Sequence, residues 1–161
     1  MLAPDRAYLA MHPNLRPPMP IEHSQIANWA IAEGWPGTSK HIPLTQATFP
    51  ALLELPGHYS YCMGESGAAP LGFGQIWLNQ ANGTTNLVRV LIDPQRRGQG
   101  LGKLLCRLLL AEANRISPGQ AVKLRVYRGN HAAVSVYRAL GFETVVGESN
   151  AEVLAMASRK C

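Results

Sequence analysis

Hydrophobic positions in this chain fall into short strand-like runs interrupted by stretches with helical spacing. From Ile21 to about Ala32, Ile26, Trp29, Ala30 and Glu33 predict a helix, stopped by Gly34-Trp35-Pro36-Gly37. A shorter helix is expected from about Thr45 to Leu55, interrupted or restarted near Pro50. The runs His58–Met63 and Leu71–Leu78, joined by Gly64-Glu65-Ser66-Gly67, read as two strands. The segment Asn79–Thr85, with Asn82-Gly83 inside it, turns the chain into a third apolar run, Leu87–Ile92. Leu101, Leu104, Leu105, Leu108 and Leu109 then form a stripe at i, i+3, i+4, i+7 and i+8, a core-facing helix reaching about Arg115 with Lys103, Arg107 and Asn114 on its solvated side. A strand over Val122–Tyr127 precedes a helix capped by Asn130, with Val134, Tyr137 and Leu140 at helical spacing and Gly141 as its stop. A terminal strand pair is expected around Glu143–Val146 and Glu152–Met156. At the start, residues 1–13 read as a poorly ordered extension before a short strand at Asn14–Arg16 and the Pro17-Pro18 break. The order predicts one domain over residues 1–161, built on a mixed α/β sheet with helices on both faces.

The junction between the third strand and the leucine helix carries chemistry. It reads Asp93-Pro94-Gln95-Arg96-Arg97-Gly98-Gln99-Gly100-Leu101-Gly102-Lys103. Glycines let a ligand approach the backbone, and the first N–H groups of a helix have no partner within it. Helix N-termini favour acidic neighbours, yet Arg96, Arg97 and Lys103 crowd this one, the arrangement expected around a bound anion. Two nucleotide-binding loops fail on spacing. A Walker A loop needs four residues before its Gly-Lys pair and then Ser or Thr, whereas Gly98 and Gly102 enclose three and Leu104 follows Lys103. A Rossmann fingerprint needs G-x-G-x-x-G after the first strand, whereas this loop reads G-x-G-x-G and lies beyond residue 90 of 161.

Arg97-Gly98-Gln99-Gly100-Leu101-Gly102 matches the Arg/Gln-x-x-Gly-x-Gly/Ala loop of the GNAT acetyltransferases, and the chain resembles that superfamily. A second match lies downstream: Asn130-x-x-Ala133-x-x-x-Tyr137-x-x-x-Gly141-Phe142. The resemblance covers roughly residues 70–147 and only loosely the first 60. It implies a GNAT-like, mostly antiparallel central sheet of six to seven strands. It further implies acetyl-CoA as cosubstrate and direct transfer of its acetyl group to a primary amine in a ternary complex, without a covalent acyl-enzyme. By the same resemblance, backbone groups of Val90, Leu91 and Ile92 would line the acetyl-pantetheine arm, and an N–H there would stabilise the oxyanion. Arg97 and the residues Gly98, Gln99, Gly100, Leu101, Gly102 and Lys103 would hold the pyrophosphate. Asn130 would bond the arm or an ordered water, with Ala133 and Tyr137 beside it. Tyr137 would act as the general acid that protonates the departing thiolate, since a phenol with a reference pKa near 10 keeps its proton at neutral pH. Its helical periodicity with Val134 and Leu140 also fits a packed aromatic.

Composition narrows the partners. The chain is 47% hydrophobic and 16% charged, with a formal charge of +5 and a pI near 9.4. A basic balance fits nucleic acid or an acidic cofactor. The excess is dispersed and no RNA-binding aromatic motif or Cys/His zinc spacing is present, which favours the cofactor and predicts no nucleic-acid partner. Cys62, Cys106 and Cys161 lack metal or CxxC spacing and read as reduced thiols of a cytoplasmic protein, Cys106 as core filler. No apolar run approaches the roughly 20 residues that cross a bilayer, so no membrane partner is expected. The expected partner is an amine, small molecule or peptide N-terminus, and a homodimer is left open. No metal site is read.

An alkylamine must lose a proton before it attacks, yet a base is hard to find. Several members of the resembled family use a glutamate near the start of the motif strand, where this chain has Asn86, or on the next strand, where it has Arg125. Glu33, Glu54, His58, Tyr59, Tyr61 and His131 are secondary candidates, and water-mediated deprotonation is the default. Trp29, Trp35 and Trp77 are candidates for shaping the acceptor pocket, although tryptophans are more often core. The competing class is a non-catalytic acetyl-CoA-binding sensor, which binds without turnover; a nucleic-acid module is third.

Overall fold

The computed structural model describes residues 14–39, 41–65 and 67–159, so the expected extension over 1–13 lies outside the described residues, as does Cys161. In chain order the elements are β1 (Leu15–Arg16), a 3-10 turn (Pro20–Glu22), α1 (His23–Ala32), β2 (Pro36–Ser39), β3 (Ile42–Pro43), α2 (Phe49–Leu53), β4 (His58–Met63), β5 (Gly72–Asn79) and β6 (Thr84–Ile92). There follow a 3-10 turn (Pro94–Arg96), α3 (Leu101–Ile116), β7 (Val122–Tyr127), α4 (His131–Ala139), β8 (Glu143–Thr144), a 3-10 turn (Val146–Glu148) and β9 (Val153–Ala157). Seven strands form one sheet in the order β1-β4-β5-β6-β7-β9-β8, antiparallel throughout except for the parallel pair β6 and β7.

Local chemistry explains where the structure departs from expectation. The stop signal at Gly34–Gly37 does end α1, but it also opens a two-stranded hairpin, β2 with β3, that periodicity over so few residues could not show. Pro50 does not interrupt a helix running from Thr45. It sits in the first turn of α2, where a missing N–H leaves nothing unpaired, and Thr45 and Thr48 bond each other's backbone before it. The terminal pair is shorter than expected at β8, because the chain enters a 3-10 turn at Val146.

The sheet buries one apolar cluster on each face. Leu105, Leu109 and Ala113 of α3 pack on Met63, Ile76, Leu87, Leu124 and Met156. On the other face, Ile26, Trp29 and Ala30 of α1 and Phe49 and Leu52 of α2 pack on Cys62, Phe73 and Leu91. Bare glycine lets α3 approach closely: a Cβ on Gly74 would stand 2.6 Å from Leu109 Cδ1. Helices α1 and α2 cover only β4, β5 and the end of β6, so the second face over β6, β7 and β9 has no helical cover from them. Among the described residues, no helix is long and apolar enough to cross a membrane.

Candidate active site

The site begins with a defect in β6. Gln75 of β5 pairs with Val88 and Phe73 with Leu91, so Arg89 and Val90 occupy a span where β5 has Gly74 alone. That is a β-bulge, and Arg89 carries its strain at φ 52°, a left-handed value rare outside glycine. Beyond the bulge the strand's facing is reversed. Leu87 packs into the α3 cluster, whereas Leu91, four residues on, packs into the α1 and α2 cluster. On its other edge β6 pairs with β7 only at Thr85 with Val122 and Asn86 with Lys123. Past those pairs the two strands part, leaving a gap beside Val88–Ile92. Asp93 N–H donates to Leu71 O at 2.9 Å, toward β5, so alternation turns the N–H of Ile92 into that gap.

The glycine loop lies at the end of the gap. Gly98 (φ 81°) and Gly100 (φ 76°) hold left-handed turns, and Gly100 caps α3 without a side-chain cap. Gly102 is different. It is helical, and a Cβ there would meet only Ile92 at 3.9 Å, so the protein gives no reason for a residue that weakens a helix by about 1 kcal/mol. The open space in front of it is the reason available. A cavity of about 480 Å³ runs along this loop, lined by Arg96, Arg97, Gly98, Gly100, Leu101, Gly102 and Lys103 at one end and by Val90, Leu91, Ile92, Cys106, Asn130, Ala133 and Tyr137 at the other. Every expected cofactor contact except the exposed Gln99 is on this wall.

Tyr137 is placed by its own sequence neighbourhood. Helix α4 starts with Asn130 Oδ1 accepting from Ala133 N–H at 3.2 Å. It ends in a left-handed Gly141 whose N–H donates to Arg138 O, followed by Phe142 N–H donating to Tyr137 O, a Schellman motif. The apolar contact that accompanies such a motif is Phe142 edge-on against Tyr137, with ring centroids 5.8 Å apart. The Tyr137 hydroxyl stands beside the Cys106 thiol of α3. Burial foremost, with the Cys106 sulfur beside it, holds the phenol above its usual pKa, and burial pushes the Cys106 thiol up to about 12. Both groups therefore keep their protons through the physiological range.

A larger cavity, about 760 Å³, opens on the uncovered face and shares Val90, Asn130, Ala133 and Tyr137 with the first. Two pockets thus meet where β6 and β7 part. A family model described as acetyltransferase (GNAT) family matches residues 23–142. The chain belongs to that family. As a GNAT enzyme it is an acetyl-CoA-dependent N-acetyltransferase, and its cosubstrate is acetyl-CoA. Solved structures share the fold. The ribosomal-protein-S18-alanine N-acetyltransferase from Escherichia coli is 19% identical, over 91% of this chain and 92% of its own, with a TM-score of 0.64. A variant of the spermidine N-acetyltransferase SpeG from Vibrio cholerae is 16% identical over 91% and 93%, with a TM-score of 0.73. AAC(6')-Ib, solved in a complex holding acetyl-CoA, is 19% identical over 91% and 92%, with a TM-score of 0.69.

The larger cavity of this GNAT chain is lined by Trp35 and Trp77, by Asn79, Asn82, Asn86 and Asn130, and by Arg89, Lys123, Arg125, Tyr127 and Glu148. Trp29, by contrast, is core. The candidate bases disperse. Glu33 is paired with Arg97 at the loop. Glu54, His58 and Tyr59 line a separate pocket, and Tyr61 donates to Glu112 of α3 at 3.1 Å on the opposite face. His131 is exposed at the start of α4. Asn86 and Arg125 do stand in the cavity wall where a glutamate was sought. Among the described residues, the one carboxylate lining it is Glu148, 3.0 Å from Lys123 Nζ. Sequence reasoning missed Arg89 and Glu148, because one is a strand residue re-aimed by the bulge and the other comes from a turn on the far side of β7.

Proposed function

We propose that this enzyme acetylates a small primary amine by direct attack within a ternary complex, with acetyl-CoA along the glycine loop and the amine in the larger cavity. The observation that carries the reading is that the two cavities have one wall in common, Val90, Asn130, Ala133 and Tyr137, at the mouth of the parted strands. The anionic cosubstrate fits the loop end: unpaired helix N–H groups, Arg96, Arg97 and Lys103 face a trough that Gly102 keeps clear. Acetyl-CoA supplies the acyl group. The chain supplies position and proton handling. The backbone of Val90–Ile92 aligns the arm, and an N–H at the gap edge donates to the developing oxyanion, in place before the charge appears. As the amine nitrogen bonds the carbonyl carbon, its proton leaves through water, and when the C–S bond breaks Tyr137 donates its proton to the sulfur and regains one from solvent. Tyr137 and Cys106 line the same groove, which puts the phenol where the departing sulfur would lie. Buried Cys62 and Cys106, both free thiols, agree with a cytoplasmic protein.

Thermal unfolding with and without acetyl-CoA tests the first half of this reading. A ligand at a hundred times its dissociation constant adds about 2.7 kcal/mol. A stabilisation abolished in Gly102→Gln is expected; none at millimolar acetyl-CoA would sink it. Release of the CoA thiol with a panel of amines tests the second half, and binding without turnover across the panel would turn the reading to a sensor.

A further inference from the structure

Arg89 is the cavity residue that the mechanism above leaves idle. We infer that the acceptor amine also carries a carboxylate and that Arg89 is the residue that receives it, an inference that rests on the acetyltransferase reading and names its substrate class. Arg89 is held in place rather than merely present. Its Nη1 donates to Gln75 Oε1 at 3.1 Å, and Gln75, fully buried, is itself anchored by donating from Nε2 to Leu52 O and to Ser60 Oγ, both at 2.9 Å. The backbone beneath it is strained at φ 52°, a conformation that persists where the surroundings require it and that clusters at functional sites.

The charge balance around it is unmet. The five ion pairs among the described residues use Arg16, Arg97, Arg115, Lys123 and Arg159, and none uses Arg89. Burial lowers its pKa from the ordinary value, and no acidic neighbour among the described residues offsets it. On β4, His58 stacks on Trp77, and burial first, against a raising hydrogen bond to Pro56 O and with the Arg89 charge adding to it, lowers its pKa. From β7 come two more cations, Lys123 and Arg125, and from the turn before β9 a single carboxylate, Glu148, already bonded by Lys123 at 3.0 and 3.3 Å. A polycation such as spermidine would enter against this field. A planar guanidinium with free N–H edges matches a carboxylate two oxygens at a time, and a partly buried arginine outside any ion pair gains most from one. The amine end of such a molecule then points along the cavity to Val90, the neighbour of Arg89 and part of the wall shared with the cofactor groove.

The test compares amino acids with their amides and methyl esters as acceptors, alongside spermidine, by CoA thiol release from wild type, Arg89→Met, Arg89→Lys and Arg125→Gln. We expect the free acid to be preferred over its amide by roughly ten- to a hundredfold in kcat/KM, the worth of a charge-assisted hydrogen bond. Arg89→Met should collapse that ratio and Arg89→Lys restore part of it. Amides or spermidine turned over as well as the acids by wild type, or a preference unchanged in a folded Arg89→Met, would overturn the inference; if that variant does not fold, the wild-type ratio alone decides. A second readout does not need turnover: CoA-loaded protein should be stabilised by N-acetylated amino acids and not by their amides, and no acid-dependent shift at millimolar ligand overturns the inference. The parent reading fails differently, by showing no stabilisation with acetyl-CoA itself.

Discussion

The two edges of β6 are made of the same nine residues and do opposite work. Toward β5 the strand is paired from Thr84 to Ile92 with one bulge, and Phe73, Leu91, Ile76 and Leu87 lock it between two apolar clusters. Toward β7 it is paired at two positions and then released. The closed edge supplies the rigidity, and the open edge exposes backbone groups that a continuous sheet would consume. A reaction that needs an unpaired N–H at fixed position can therefore be built by withholding a strand partner. The bulge serves both edges, since it preserves the closed pairing while turning Arg89 toward the cavity face.

Variants can break either edge separately, and the largest effect belongs to the closed one. Phe73 is fully buried between Trp35 and Phe49, so Phe73→Ala should cost about 3–5 kcal/mol of stability by chemical denaturation. The fraction that remains folded should still bind acetyl-CoA; a selective loss of binding with stability intact would mean the two edges are not separable. On the open edge, Tyr137→Phe keeps the ring packed on Phe142 and removes only the hydroxyl, so kcat should fall by roughly a hundredfold with little change in melting temperature. Because the phenol is held above its usual pKa, the loss of wild-type kcat from its ionisation should begin only above a pH of about 10, and a limb near neutrality would assign the acid elsewhere.

Gly102→Ala sets stability against function. Replacing a helical glycine that no protein atom crowds should stabilise the free protein by about 0.5–1 kcal/mol while weakening acetyl-CoA binding, read by thermal unfolding and titration. Weaker stability in the free state would mean that packing, not a ligand, requires the glycine. The smallest effect is expected from Glu33→Gln. The Glu33 pair with Arg97 is exposed, worth about 1 kcal/mol or less, and competes with an anion for the same guanidinium. Stability should barely move, and acetyl-CoA should bind a few-fold more tightly at low salt.

Much of the groove along the glycine loop was legible because its signals are local. Gly98 and Gly100 are needed for left-handed turns, Asn130 for a cap, and Gly141-Phe142 for a helix stop that packs on Tyr137, all within a few residues of the atoms they place. The larger cavity was not. Trp29 and Trp35 lie six positions apart and end in different surroundings, one in the core and one on the cavity wall, because that outcome depends on where α1 lies against the sheet. Glu33 and Glu54 read as equivalent rim acids, yet one meets Arg97 and the other lines a separate pocket.

The amino-acid sequence by itself determined the strand, glycine loop and leucine helix, since each rests on spacing and backbone propensity over short range, and the motifs they carry supply the resemblance to the family. The tertiary structure alone decided the larger cavity. A single bulge changes which face every later residue of β6 presents, and the parting of β6 from β7 depends on pairing between residues far apart in the chain, so the meeting of Arg89, Lys123, Arg125 and Glu148 on one wall is a property of the assembled sheet.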